Sequence, residues 1–262
     1  MAEVYTNKLG LKYEIVERAK KYSLVRFIDT NQFELLFNAV ISRNVFLDHS
    51  QPFLYGVGYA TGTRENPLNF RENEFYHKMW SSMITRCYRN GGEKNYKDVA
   101  VCPEWQNYTN FLEWAQKQMP TEVYGFSRYA LDKDIFSLQE NCKMYSPATT
   151  CIITNSVNSM AVGLNFLDYS QNTFKRVERL KERVLNAKEL GKGTIERIAA
   201  KIDKYFSDFE KNAAQEIKED VKIYESVELT AFIEYKGKLY KFTDTRQLQE
   251  FAKRIEQKQP KE

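Results

Sequence analysis

Asp132, Lys133 and Asp134 stand in the run Leu131-Asp132-Lys133-Asp134-Ile135, and Tyr145-Ser146-Pro147, Cys151 and Asn158 follow them along the chain. The β-branched and aromatic residues around a polar segment at 137–141 predict a strand over 131–135, a turn, a second strand interrupted by Pro147, and a helix carrying Asn158. Side chains two apart on a strand share a face, so Asp132 and Asp134 would form a carboxylate pair able to hold a metal ion and its water. Lys133 suits a phosphate better than a proton: its reference pKa, about 10.4, makes it a poor base near neutrality unless burial lowers it strongly. The plain alternative is a solvated or ion-paired strand end. His49 and His77 are the only histidines. Only tertiary folding would bring His77, near the start of a helix, to these carboxylates.

The flanking sequence supplies the elements that would position such a group. Residues 13–16, 24–28 and 33–37 are strand-like, with Asp29-Thr30-Asn31 as a turn, and predict a small antiparallel β module over 1–63. A second region, 64–165, opens with a helical stripe of Phe75, Met79, Trp80, Met83, Ile84 and Cys87, stopped by Asn90-Gly91-Gly92. A shorter helix follows at 108–117, and the aromatic density of these helices reads as core rather than as a base-stacking platform. Over 166–262 the composition turns charged and helix-favouring. It predicts a helical hairpin over 174–190 and 194–221, broken at Gly191 and Gly193, then a β-hairpin turning at Lys236-Gly237 and a last helix at 245–257. The expected fold class is α+β.

With 262 residues, 42% of them hydrophobic and 14% aromatic, the chain can build real cores. No apolar run approaches the roughly 20 residues that cross a bilayer, and residues 1–10 lack a signal-peptide pattern, so the expected location is cytoplasmic. Cys87, Cys102, Cys142 and Cys151 contain no CxxC pair and read as buried thiols, with a four-thiolate zinc site as the minor alternative. The balance of 39 Lys+Arg against 35 Asp+Glu permits nucleic-acid binding without demanding it. Contact with DNA would have to come from local patches. Arg26 and Arg43 in the β module, and Arg86 with Arg89 at the end of the first long helix, are the candidates for a phosphate track, against the alternative of ordinary surface arginines.

Several fragments occur in a specific order: Gln51-Pro52-x-x-Tyr55-Gly56-Val57-Gly58-Tyr59, Trp80-x-x-Met83-x-x-Arg86-Cys87-Tyr88, Tyr96-x-x-Val99-x-Val101-Cys102-x-Glu104-Trp105, Phe111-x-x-Trp114, and the 131–135 run with Tyr145-Ser146-Pro147-x-x-x-Cys151. Together, over roughly residues 10–165, they resemble the phage-encoded HNH-like endonucleases, many of which are homing endonucleases. The resemblance implies a ββα core acting on double-stranded DNA with Mg2+, in which Asp132 is the first metal ligand and Asn158 the ligand from the helix. Lys133 then occupies the position of the general-base histidine, a departure from the pattern. Asp134 would serve as a second carboxylate.

Two function classes follow. One is an HNH-like endonuclease, or a DNA-binding relic of one, in the cytoplasm of a bacterial host cell. The other is a phage inhibitor that keeps the scaffold, lacks the chemistry, binds a host defence protein and oligomerises through its C-terminal association region, 166–262. The stripe of Ile195, Ile198, Ile202, Phe206 and Phe209 must be covered, by a second copy, by a partner protein, or by the rest of the chain.

Overall fold

The computed structural model describes residues 3–94, 96–137, 144–220, 222–225, 231–235, 237–242 and 245–256. Cys142, and residues 138–141 of the expected turn, lie outside these. The fold is α+β. It divides into two compact units, Met1–Ile202 and Asp203–Glu262, with the boundary inside a long helix.

The first unit opens with an antiparallel meander of β1 (Val4–Thr6), β2 (Lys12–Arg18), β3 (Tyr22–Phe27) and β4 (Phe33–Phe37). Alternation decides which face is buried: Ser23, Val25 and Phe27 point inward from β3, and Glu34 and Leu36 from β4. Val25, Phe27 and Leu36 form a small core with Tyr13 and Phe46. β1 is a strand the sequence did not signal, since three residues carry no measurable period. Helix α1 (Asn38–Arg43) follows and ends at Asn44 in the left-handed conformation, φ 57°.

Helix α2 (Glu74–Tyr88) buries Trp80, Met83, Ile84 and Cys87, four of the six residues of the expected stripe. Asn90, Gly91 and Gly92 all take positive φ and end it, as their composition predicts. β5 (Ala100–Val101) leads to α3 (Pro103–Gln106) and α4 (Tyr108–Gln118), which is N-capped by the Asn107 side chain. Trp80, Trp105 and Phe111 are fully buried between these helices, and the Trp80 indole donates to the Trp105 carbonyl at 2.8 Å. The aromatics are core here.

β6 (Tyr129–Asp132) ends earlier than expected. The short helix α5 (Asp134–Ser137) begins at once, because an Asp132 carboxylate oxygen accepts the Ile135 N–H at 3.0 Å and turns the chain. Asp134 therefore starts a helix and does not share a strand face with Asp132. β7 (Met144–Tyr145) pairs in parallel with β5, whereas the antiparallel partner of β6 is β8 (Cys151–Thr154), beyond Pro147. α6 (Asn155–Ala161) follows directly, capped by Thr154. β6, β8 and α6 make the expected ββα unit, with Asp132 opposite Cys151 in the ladder.

α7 (Gln171–Leu185) packs on α6 and buries Val177, Leu180 and Val184. The start of α8 (Lys192–Asp220) is tied to the ββα region: Arg197 donates to the Ala148 and Thr150 carbonyls at 2.6 and 3.1 Å, and Lys201 to that of Phe136 at 2.9 Å. Gly191 was expected to break a helix, and it does precede α8. A Cβ there would lie 2.1 Å from the Gln118 carbonyl oxygen. Gly193 lies inside α8. Ile198 and Ile202 are fully buried within the chain itself.

The second unit takes the rest of α8, then the antiparallel strands β9 (Lys222–Glu225), β10 (Ala231–Tyr235) and β11 (Lys238–Phe242), with β10 central, and α9 (Thr245–Glu256). Phe251 of α9 lies against Tyr240 and Phe242, at ring-centroid distances of 4.7 and 5.0 Å. The hairpin and last helix thus form where the sequence places them, while β9 was not foreseen. Among the described residues, no helix is long and apolar enough to cross a membrane.

Candidate functional site

Asp132, Lys133, Asp134 and Asn158 line one cleft of about 660 Å³, and Arg86 lines it too. β6 forms its floor with Tyr129 to Asp132, α2 supplies Lys78, Ser82 and Arg86, and α6 supplies Asn158. Residues far apart in sequence therefore meet: α2 lines the cleft along much of its length, and α6, which packs on β6, adds Asn158.

Asp132 is only 7% exposed. Burial pushes its carboxyl up to about 6, with Asp134 adding to the rise, while the Ile135 N–H and the Lys133 ammonium oppose it. A carboxylate so poorly compensated gains from a cation placed beside it. Lys133 does not serve that purpose directly, since its ammonium lies 2.5 Å from Asp134, whose side chain is 58% exposed. The buried Cys151 thiol is pushed well above its ordinary range, burial first and the Asp132 charge second. It is no nucleophile at neutral pH.

Tyr96 and Tyr145 face two cations. The Arg86 guanidinium carbon lies 5.2 Å from the Tyr96 ring centroid and 5.8 Å from that of Tyr145, and the Lys133 ammonium 5.6 and 6.0 Å from the same two rings. The Arg86 Nε is buried with no hydrogen-bond partner among the described residues, as is the Tyr129 hydroxyl. Tyr145 is fully buried, which raises its hydroxyl pKa and keeps it protonated. Tyr96 stands in the resembling fragments but had no role assigned from sequence. Nothing in its local pattern signals that it would reach the cleft.

The other candidates lie elsewhere. Arg26 is paired across the β module with Glu14 at 2.8 Å. Arg43 ends α1 and Arg89 caps α2, both exposed, and neither lines the cleft. The histidines stay out of it as well: His49 Nδ1 is 2.8 Å from Glu34, and His77 packs on Phe70 and Tyr108, where burial lowers its pKa.

Among the described residues, no group of three or more His, Cys, Asp or Glu side chains is placed to share a metal ion. Asp132 with the Asn158 amide remains a donor pair of the kind Mg2+ accepts, because that ion keeps several waters and takes further oxygens from a phosphate substrate. The chain matches no protein-family model, no curated protein and no solved structure.

Proposed function

We propose that the chain binds double-stranded DNA in this cleft as an HNH-like endonuclease of weakened activity, with Mg2+ as its metal. The observation that carries the reading is the meeting of Asp132, Lys133, Asp134, Asn158 and Arg86 on one cleft walled by a ββα unit. Asp132 and Asn158 would hold the ion, which when bound supplies charge for the departing oxyanion. Lys133 and Arg86 bind and orient the phosphate. Among the described residues, no histidine lines the cleft to serve as general base, which accounts for weak activity. The test is nicking of supercoiled plasmid with Mg2+ or Mn2+ by the wild type and by Asp132→Asn.

A second reading is favoured by one observation: neither histidine lines the cleft. On this reading the protein is a phage inhibitor of a host defence protein that retains the scaffold alone. A wild type that neither nicks nor binds DNA would support it.

A further inference from the structure

The strongest feature that metal ligation leaves unexplained is the pair of cations over two tyrosines. Arg86 and Lys133 each stand within 6.0 Å of both the Tyr96 and Tyr145 rings, so two positive groups share one small, half-dry corner of the cleft. Placing like charges together away from water is unfavourable unless an anion joins them. Asp134 answers for Lys133 alone. Arg86 lines the cleft, its buried Nε–H has no acceptor among the described residues, and a guanidinium carries paired N–H groups that fit two oxygens of a tetrahedral anion. The Tyr129 hydroxyl, on a residue 7% exposed that also lines the cleft, is likewise unmatched.

We infer that Arg86 and Lys133 form a phosphate clamp that works without metal, and that Asp134 is its latch, holding Lys133 until a phosphodiester oxygen replaces the carboxylate. The inference rests on the reading of the cleft as a DNA site and adds to it a second, cation-independent contact. It also changes the role of Asp134. As a metal ligand, Asp134 would support binding; as a latch, it competes with the phosphate for Lys133. With Mg2+ present the two roles predict opposite signs for its removal, because a lost metal ligand weakens binding whereas a lost latch frees Lys133.

The test measures binding of a short fluorescein-labelled DNA duplex by anisotropy in EDTA, for the full-length wild type, Arg86→Ala, Arg86→Lys and Asp134→Asn, and again with Mg2+ for the wild type and Asp134→Asn. Circular dichroism melting shows that each variant is folded, and Arg86→Lys keeps the charge should Arg86→Ala unfold. The clamp predicts a loss of about tenfold for Arg86→Ala and a smaller loss for Arg86→Lys, which lacks the paired N–H groups. It predicts a gain of up to about threefold for Asp134→Asn, within the range of an exposed ion pair. Inorganic phosphate should displace the duplex from the wild type and far less from folded Arg86 variants. Unchanged affinity in both Arg86 variants, or weaker binding by Asp134→Asn, overturns the clamp. Phosphate binding that depends on Arg86 without any duplex binding overturns the phosphodiester assignment. Nicking is read separately. A protein that binds through Arg86 but never nicks refutes the nuclease reading alone, and one that nicks while Arg86→Ala binds normally refutes the clamp alone.

Discussion

An Asp132 carboxylate oxygen lies 3.0 Å from the Ile135 backbone nitrogen, so the side chain expected to hold a metal also caps the helix that follows it. That bond ends the strand and starts α5. The same interaction removes Asp134 from the strand and hands it to Lys133.

Replacement of Asp132 by Asn should stabilise the metal-free protein at alkaline pH. The folded carboxyl titrates near 6 against an ordinary 3.8, so between those values the folded state binds more protons than the unfolded one. Stability therefore falls as pH rises through that window and stays reduced above it, by on the order of 3 kcal/mol at most. Asn keeps the cap and has no charge to bury. Thermal melts in EDTA should show Asp132→Asn above the wild type at pH 8, with the difference vanishing near pH 4; an equal difference at both values would place the titration elsewhere.

Lys133→His should raise metal-dependent nicking, because an imidazole with a pKa near 6.5 accepts a proton where an ammonium cannot. The gain expected is about a hundredfold, at the low end for a positioned general base. Rates measured from pH 6 to 8 should climb with the neutral imidazole. A variant no faster than wild type would show that position 133 does not face the attacking water.

Much of this architecture is legible in the sequence. Helices α2 and α4 and strands β2 to β4 follow from periodicity, and the break before α8 at Gly191 and the positive φ of Gly237 from backbone chemistry. The end of β6 was missed because alternation continues through Ile135, whereas an aspartate followed by a short helical run also reads as a cap. β5 and β7 are two residues each and carry no period. The four arginines looked alike. Only packing distinguishes Arg86, which lines the cleft beside two tyrosines, from Arg26, which meets Glu14 across two strands.

A chain ending at Ile202 should stay folded and one ending at Asn165 should not match it. Val177, Leu180, Val184, Ile198 and Ile202 are fully buried, each contributing about 1.5 to 3 kcal/mol that the shorter chain lacks. Thermal unfolding and light scattering of the two would read this. Equal melting temperatures would mean that residues 166–202 contribute little to the first unit.

Gly191→Ala should destabilise by about 1 to 3 kcal/mol, since the added methyl would meet the Gln118 carbonyl oxygen at 2.1 Å. Gly193→Ala, with open space around it inside α8, should instead be neutral or stabilising by up to about 1 kcal/mol. Chemical denaturation of both variants checks the contrast, and similar effects would remove the close approach of α4 to the start of α8.

The most direct measurement is conversion of supercoiled plasmid to the nicked form by the wild type and by Asp132→Asn, each with Mg2+, with Mn2+ and with EDTA. The account predicts slow nicking by the wild type with either metal, none in EDTA, and none by Asp132→Asn under any condition. Full nicking by Asp132→Asn, or no nicking by the wild type with either metal, would contradict it.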